Sequence, residues 1–146
     1  MEVIQITAKI LSTFCCSLFA GAAIYVNLVE HPARMECGTE IAVKEFGPSY
    51  RRATQMQVLL ATVSFVSSIV AWLNGANFWW LVGGALLALV VPFTLIQILP
   101  TNKKLLAPDL DKSSQQAHEL LSKWNRLHAV RSLLSMLSLI TFLLNR

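Results

Sequence analysis

The residues able to do chemistry in this chain are few, and helical spacing groups them. Asn27, Glu30, His31 and Arg34 stand at i, i+3, i+4 and i+7, the spacing of a single helical face. Trp124, His128 and Arg131 stand at i, i+4 and i+7, with Asn125 beside them. Gln55 follows Arg51 and Arg52, and Thr94 and Gln97 precede Pro100-Thr101-Asn102. Imidazoles exchange protons near neutral pH, or ligate a metal or haem. Amides orient an oxygenated ligand, and a guanidinium meets developing negative charge. The set points to acid–base chemistry on a small molecule. A metal would need a third ligand beside His31 and His128. Glu30 is the candidate, yet it adjoins His31 and points about 100° away from it on a helix. No cofactor and no metal site is therefore expected, with a metal or haem held by His31 and His128 as the alternative. Cys15, Cys16 and Cys37 show no metal-finger spacing.

The elements that must position these groups follow from composition. Of 146 residues, 55% are hydrophobic and only 14% charged, against about 25% charged in soluble domains. The mean hydropathy is +0.56. Disorder, a coiled coil and a disulfide scaffold are excluded, and an integral membrane protein is expected. Charge-free runs cover 20 residues from Ile10 to Val29, 50 from Ala53 to Asn102 and 14 from Ser132 to Asn145. One crossing takes about 20 residues. The middle run holds two spans around the turn-forming Asn74-Gly75-Ala76-Asn77. The prediction is an all-α, up-down four-helix membrane bundle in one domain over 1–146. Its spans are at 4–31, 52–73, 78–99 and 118–144, with long loops at 32–51 and 100–117. Ala20-Gly21-Ala22 resembles a signal cleavage site, but the apolar run continues through it, so it is read as part of the first span.

Ten of the twelve Lys and Arg residues fall on the side of the two long loops. That bias predicts cytoplasmic loops and lumenal or extracytoplasmic termini in a multi-pass protein. Seven acidic residues are interleaved on the same side, so the net charge of +4 does not mark a nucleic-acid binder. Counting about 1.5 Å per residue along each span puts Asn27, His31, Gln55, Gln97, Asn102, His128 and Arg131 in one layer, just inside the cytoplasmic edge. Intramembrane polar groups are costly and are functional candidates by default. The layer is read as a shared pocket for a lipophilic, oxygenated molecule entering from the membrane lipids, with Trp124 and Phe46 or Tyr50 over its face.

These residues resemble a known family. The pattern is Asn27 with His31-Pro32, Tyr50-Arg51-Arg52-Ala53 with Gln55, Pro100-Thr101-Asn102-Lys103-Lys104-Leu105, and Trp124-x-x-x-His128-x-x-Arg131. It is similar to the anthrone oxygenase-like family of small four-span membrane proteins, over nearly the whole chain. The resemblance implies a four-helix membrane fold and oxidation of anthrones to anthraquinones with no established organic cofactor. The enzyme reading is a cofactor-independent or metal-assisted oxygenase acting with O₂ on a lipophilic phenol, anthrone or quinol, with His128 as the catalytic base and His31 as a second acid or base. Arg131 and Asn102 stabilise an oxyanion, and Asn27, Gln55, Gln97 and Trp124 bind the substrate.

The alternative class is a non-catalytic scaffold or lipid-binding partner protein. Gly83-Gly84 with Ala85 and Ala88 offers a close helix contact, within the chain or between copies in a homo-oligomer. Two geometric expectations separate the classes. The His31 and His128 side chains should lie within about 12 Å of each other, room for one ring system and two hydrogen bonds. They should border one cavity with Asn102 and Arg131. In the loop at 32–51, Glu36 to Phe46 should form a short amphipathic helix over the site, with Met35, Ile41, Ala42 and Phe46 on its apolar side.

Overall fold

A computed structural model describes residues 1–145. It consists of four long helices: α1 (Glu2–Glu36), α2 (Thr39–Leu73), α3 (Trp79–Leu105) and α4 (Gln115–Leu144), each long and apolar enough to cross a membrane. No strand occurs among the described residues. Sequence neighbours pack against one another, and α4 closes the ring onto α1, while the diagonal pairs barely touch. This is the predicted up-down bundle, and it makes the chain a multi-pass membrane protein.

The inner stripe of each helix explains the closure. On α4, Ala117, Leu121, Trp124, His128, Ser135, Ser138 and Phe142 are buried, with Arg131 in the same stripe. Their spacing alternates four and three, the 3.5-residue repeat of helices packed about 20° apart. On α2 the stripe is Phe46, Gln57, Ala61, Ser64, Ser68 and Ala71. Toward the end holding the termini, small residues let backbones approach and serines bond across. Ser12 and Ser64 each donate to the other's backbone carbonyl at 2.9 Å. Ser138 donates to the Gly83 carbonyl at 2.7 Å. A Cβ on Gly83 would lie 2.5 Å from the Phe142 ring, and one on Gly84 would collide with Ser68. The Gly83-Gly84 contact is thus internal to the chain.

The long loop expected at 32–51 does not exist as a loop. α1 runs on to Glu36 and α2 begins at Thr39, separated by Cys37-Gly38. Gly38, at φ 94, makes the reversal. The stretch is amphipathic as expected, but its helix is continuous with the second span, running through Pro48. Ala42, Val43 and Phe46 are buried, whereas Ile41 is 57% exposed. An ion cluster around the buried Arg34 locks this extension. Arg34 pairs with Glu30 on its own helix and, at 2.8 Å, with Glu45 on α2. Ser49 donates to Glu30 at 2.8 Å. The second loop shrinks to 106–114, because α3 continues to Leu105 and α4 starts at Gln115. Ser114 caps α4 by accepting from the Ala117 amide at 3.2 Å.

Two helices carry a π-helical turn, Val26–Glu30 in α1 and Thr94–Ile98 in α3. Each is followed, two residues later, by a proline: Pro32 and Pro100. A proline inside a helix lacks its N–H and clashes with the carbonyl four residues back. Those carbonyls belong to Leu28 and Ile96, inside the two widened turns. The π turn relieves the clash locally. It also rotates the following residues by about one position relative to an α-helix.

Candidate functional site

The two widened turns sit at the level of His128 and Arg131 and decide which side chains face inward. On α1, Asn27 and His31 turn toward α4, while Glu30 and Arg34 turn toward α2. The single polar face expected for these four is therefore split between two neighbours. On α3, Thr94, Thr101 and Asn102 point inward and Gln97 is exposed. On α2, Gln57 is buried and Gln55 is exposed. Gln97 and Gln55 are thus not in the layer's interior. Gln57 and Thr94 stand there instead. The stripe Ala53, Gln57, Ala61, Ser64, Ser68 was the sequence signal for Gln57, because it fixes the helix phase two residues away from Gln55.

His128 is 4% exposed and its tautomer is fixed by a chain of bonds. Asn27 Nδ2 donates to the Asn125 backbone carbonyl at 3.0 Å and to Asn125 Oδ1 at 2.7 Å. A backbone carbonyl only accepts, so the opposite atom of the Asn27 amide is its oxygen. That oxygen accepts from Ser132 Oγ at 2.5 Å and pairs with His128 Nδ1 at 3.0 Å. Nδ1 must then carry the proton, and neutral His128 keeps its lone pair on Nε2. A partner on one ring nitrogen sets the role of the other, as it does in metal- and triad-bound histidines.

Arg131 lies against α2 and α3. Its guanidinium donates to Gln57 Oε1 and, at 3.2 Å, to Thr94 Oγ1, and it stands 5.7 Å over the Phe19 ring. Nε is buried without a partner. Among the described residues no carboxylate lies within ion-pair distance of it. Arg34 by contrast has two. Asn102 is 1% exposed, and neither its amide nitrogen nor its oxygen has a partner. A buried polar group left unpaired costs about 1–3 kcal/mol. A cation without a counter-charge and a fully unpaired amide on neighbouring helices are chemically able to bond an oxygen atom of a ligand.

His31 and His128 both stack on Trp124. The indole stacks on His128 at 4.7 Å between centroids and on His31 at 5.8 Å. The sum of these separations is inside the 12 Å limit, so the two rings are close. They do not border one cavity, however. His128, Asn102, Trp124 and Arg131 line a narrow cleft of about 30 Å³. His31 instead borders an open groove with Lys123 and Arg126. No cluster of three metal-ligating side chains occurs among the described residues. The end of α2 covers the cleft: Phe46 meets Trp124 edge-on at 5.3 Å and stacks on Tyr50 at 5.8 Å. The covering role expected of the 32–51 segment is thus performed by a helix.

A second space adjoins the first. It is a groove of about 140 Å³ between α2 and α3, with Ala61, Val90 and Phe19 in its floor and Arg131 at its inner end. Its rim residues Val58, Val91 and Leu95 are about half exposed, at 57%, 49% and 57%. Tyr50, Thr54, Gln57 and Arg131 line both spaces.

No curated protein and no solved structure matches the chain. Residues 46–141 match the model of one family, described as anthrone oxygenase. That span runs from the Phe46 cover through Gln57, Thr94, Asn102, Trp124, His128 and Arg131, and takes in well over half the chain; the protein belongs to the anthrone oxygenase family.

Proposed function

We propose that the protein is a membrane-embedded oxygenase that oxidises a lipophilic anthrone or related phenolic compound with O₂ at the cleft around His128, Asn102 and Arg131. The observation that carries this reading is a neutral imidazole with its free lone pair at Nε2, set in a cleft shared with an uncompensated guanidinium. A base and an anion-stabiliser together suit proton removal from a benzylic carbon conjugated with a carbonyl or phenol oxygen. Family membership supports the same chemistry.

His128 Nε2 takes a proton from the activated methylene of the substrate. The negative charge that results settles on the substrate oxygen, where the Arg131 guanidinium and Asn102 Nδ2 receive it. The electron-rich anion reacts with O₂. The methylene loses two hydrogens, one oxygen atom of O₂ ends as the new carbonyl, and the other leaves as water. Asn27 and Ser132 hold the His128 ring. Trp124 closes the cleft on the side of His31, which positions the indole and does not touch the reacting atoms. The Lys and Arg bias supports a cleft on the cytoplasmic side with both termini on the opposite side. A purely scaffolding role leaves Asn102 and the Arg131 charge without purpose, whereas the serine-lined half of the bundle already supplies the helix-packing bonds.

The test is stoichiometry. Purified protein in lipid nanodiscs, given anthrone, should consume one O₂ per anthraquinone formed and release no hydrogen peroxide. Absence of enzyme-dependent uptake with anthrone and with lipophilic hydroquinones overturns the reading.

A further inference from the structure

The inner cleft and the outer groove differ in kind, and the difference says how a substrate must lie. The cleft, at about 30 Å³, holds something the size of one water molecule. The groove, at about 140 Å³, is close to the roughly 150 Å³ of a cavity that accepts a benzene ring. Its floor and rim are apolar, apart from its inner end. There the guanidinium of Arg131, Gln57 Oε1 and Thr94 Oγ1 form a polar threshold. Beyond the threshold lies the unpaired amide of Asn102. The rim side chains Val58, Val91 and Leu95 belong to helices long enough to cross a membrane, so the groove's open side faces acyl chains.

We propose that the groove between α2 and α3 is a lateral portal and substrate subsite. It takes the ring of a lipid-soluble phenol, hydroquinone or anthrone straight from the bilayer, with the ring's oxygen at Arg131 and the remainder of the molecule left in lipid. This deepens the oxygenase reading and rests on it for the identity of the oxygenated head. Charge complementarity selects the occupant. Arg131 has no carboxylate partner among the described residues, so an acidic hydroxyl bound as its anion completes the site, whereas a plain hydrocarbon or an acyl chain leaves the cation uncompensated. The small cleft then admits only the reacting edge of the ring, while the oxygen stays at Arg131, which lines both spaces. Selectivity follows: a substituent on the part of the ring system left at the mouth of the groove is tolerated, because it projects into lipid, and bulk at the reacting edge is not.

The experiment reads binding, so it stands whether or not turnover is found. A hydroquinone with a diazirine in its alkyl tail is photolysed with the full-length protein in nanodiscs, with and without excess unmodified hydroquinone. Competed labelling should fall on the segments at 58–61 and 90–95. Val91→Trp, which fills the rim, should weaken binding at least about tenfold. Leu133→Trp, on the outward face of α4, should leave it within about twofold. Competed labelling concentrated elsewhere, or equal effects of the two tryptophans, overturns the portal. If labelling is as predicted but anthrone is not oxidised, the subsite stands and the oxygenase reading fails.

Discussion

His128→Gln should lower anthrone-dependent O₂ uptake by about 10²-fold or more, the range for loss of a general base. The glutamine side chain can still meet Asn27 Oδ1 through its amide nitrogen, so the α1–α4 contact survives. What it cannot do is accept a proton at the position of Nε2. The loss should therefore appear in kcat, with helical content and thermal midpoint close to those of the parent. Uptake within a few-fold of the parent would show that the proton leaves by another route. The effect is expected to be this large because the fixed Nδ1–H tautomer leaves Nε2 as the single basic atom of a ring that lines the cleft.

Arg131→Met should separate function from stability. The side chain is of similar length and apolar, so it fills the space over Phe19 without a charge. Buried ion groups replaced by apolar ones of similar volume are often neutral or stabilising. Here no counter-ion is stranded, because none is present among the described residues. Only Gln57 and Thr94 lose an acceptor role. The thermal midpoint in detergent should be unchanged or raised, and activity should fall about 10²–10³-fold, the usual cost of removing one anion-stabilising donor. A large drop in stability with activity retained would make Arg131 a packing group.

Most of the fold was readable from charge alone. The charge-free runs around Phe19, Phe65 and Leu87, with the turn formers at Asn74 to Asn77, fix three crossings, and the shorter run around Leu139 becomes the fourth by extending its helix back past Arg131. The ends of the helices were less readable. The segment 39–51 is charged, and its helix is stabilised by pairing that a linear reading does not show: Lys44 to Glu40 at 2.7 Å and Arg34 to Glu45 at 2.8 Å. Helix phase was the harder problem. Gln55 and Gln97 are polar residues at the right depth, but depth does not decide which way a side chain points. The small-residue stripe on α2 would have chosen Gln57. On α3 the proline two residues past Ile98 carried the cue, since Pro100 forces the widened turn that puts Asn102 inside. The α4 set of Trp124, His128 and Arg131 was legible because that helix is unbroken and keeps its 3.5-residue repeat.

The central claim is that an oxygenated ring binds against Arg131 and His128, and the most direct measurement is a structure of the protein in nanodiscs with a slowly reacting anthrone analogue under anaerobic conditions. The account predicts density for the ring between α2 and α3, with its oxygen about 2.7–3.0 Å from the Arg131 guanidinium and its reacting carbon toward His128 Nε2. Density in the groove beside His31 and Lys123, or an empty cleft at saturating analogue, would contradict it.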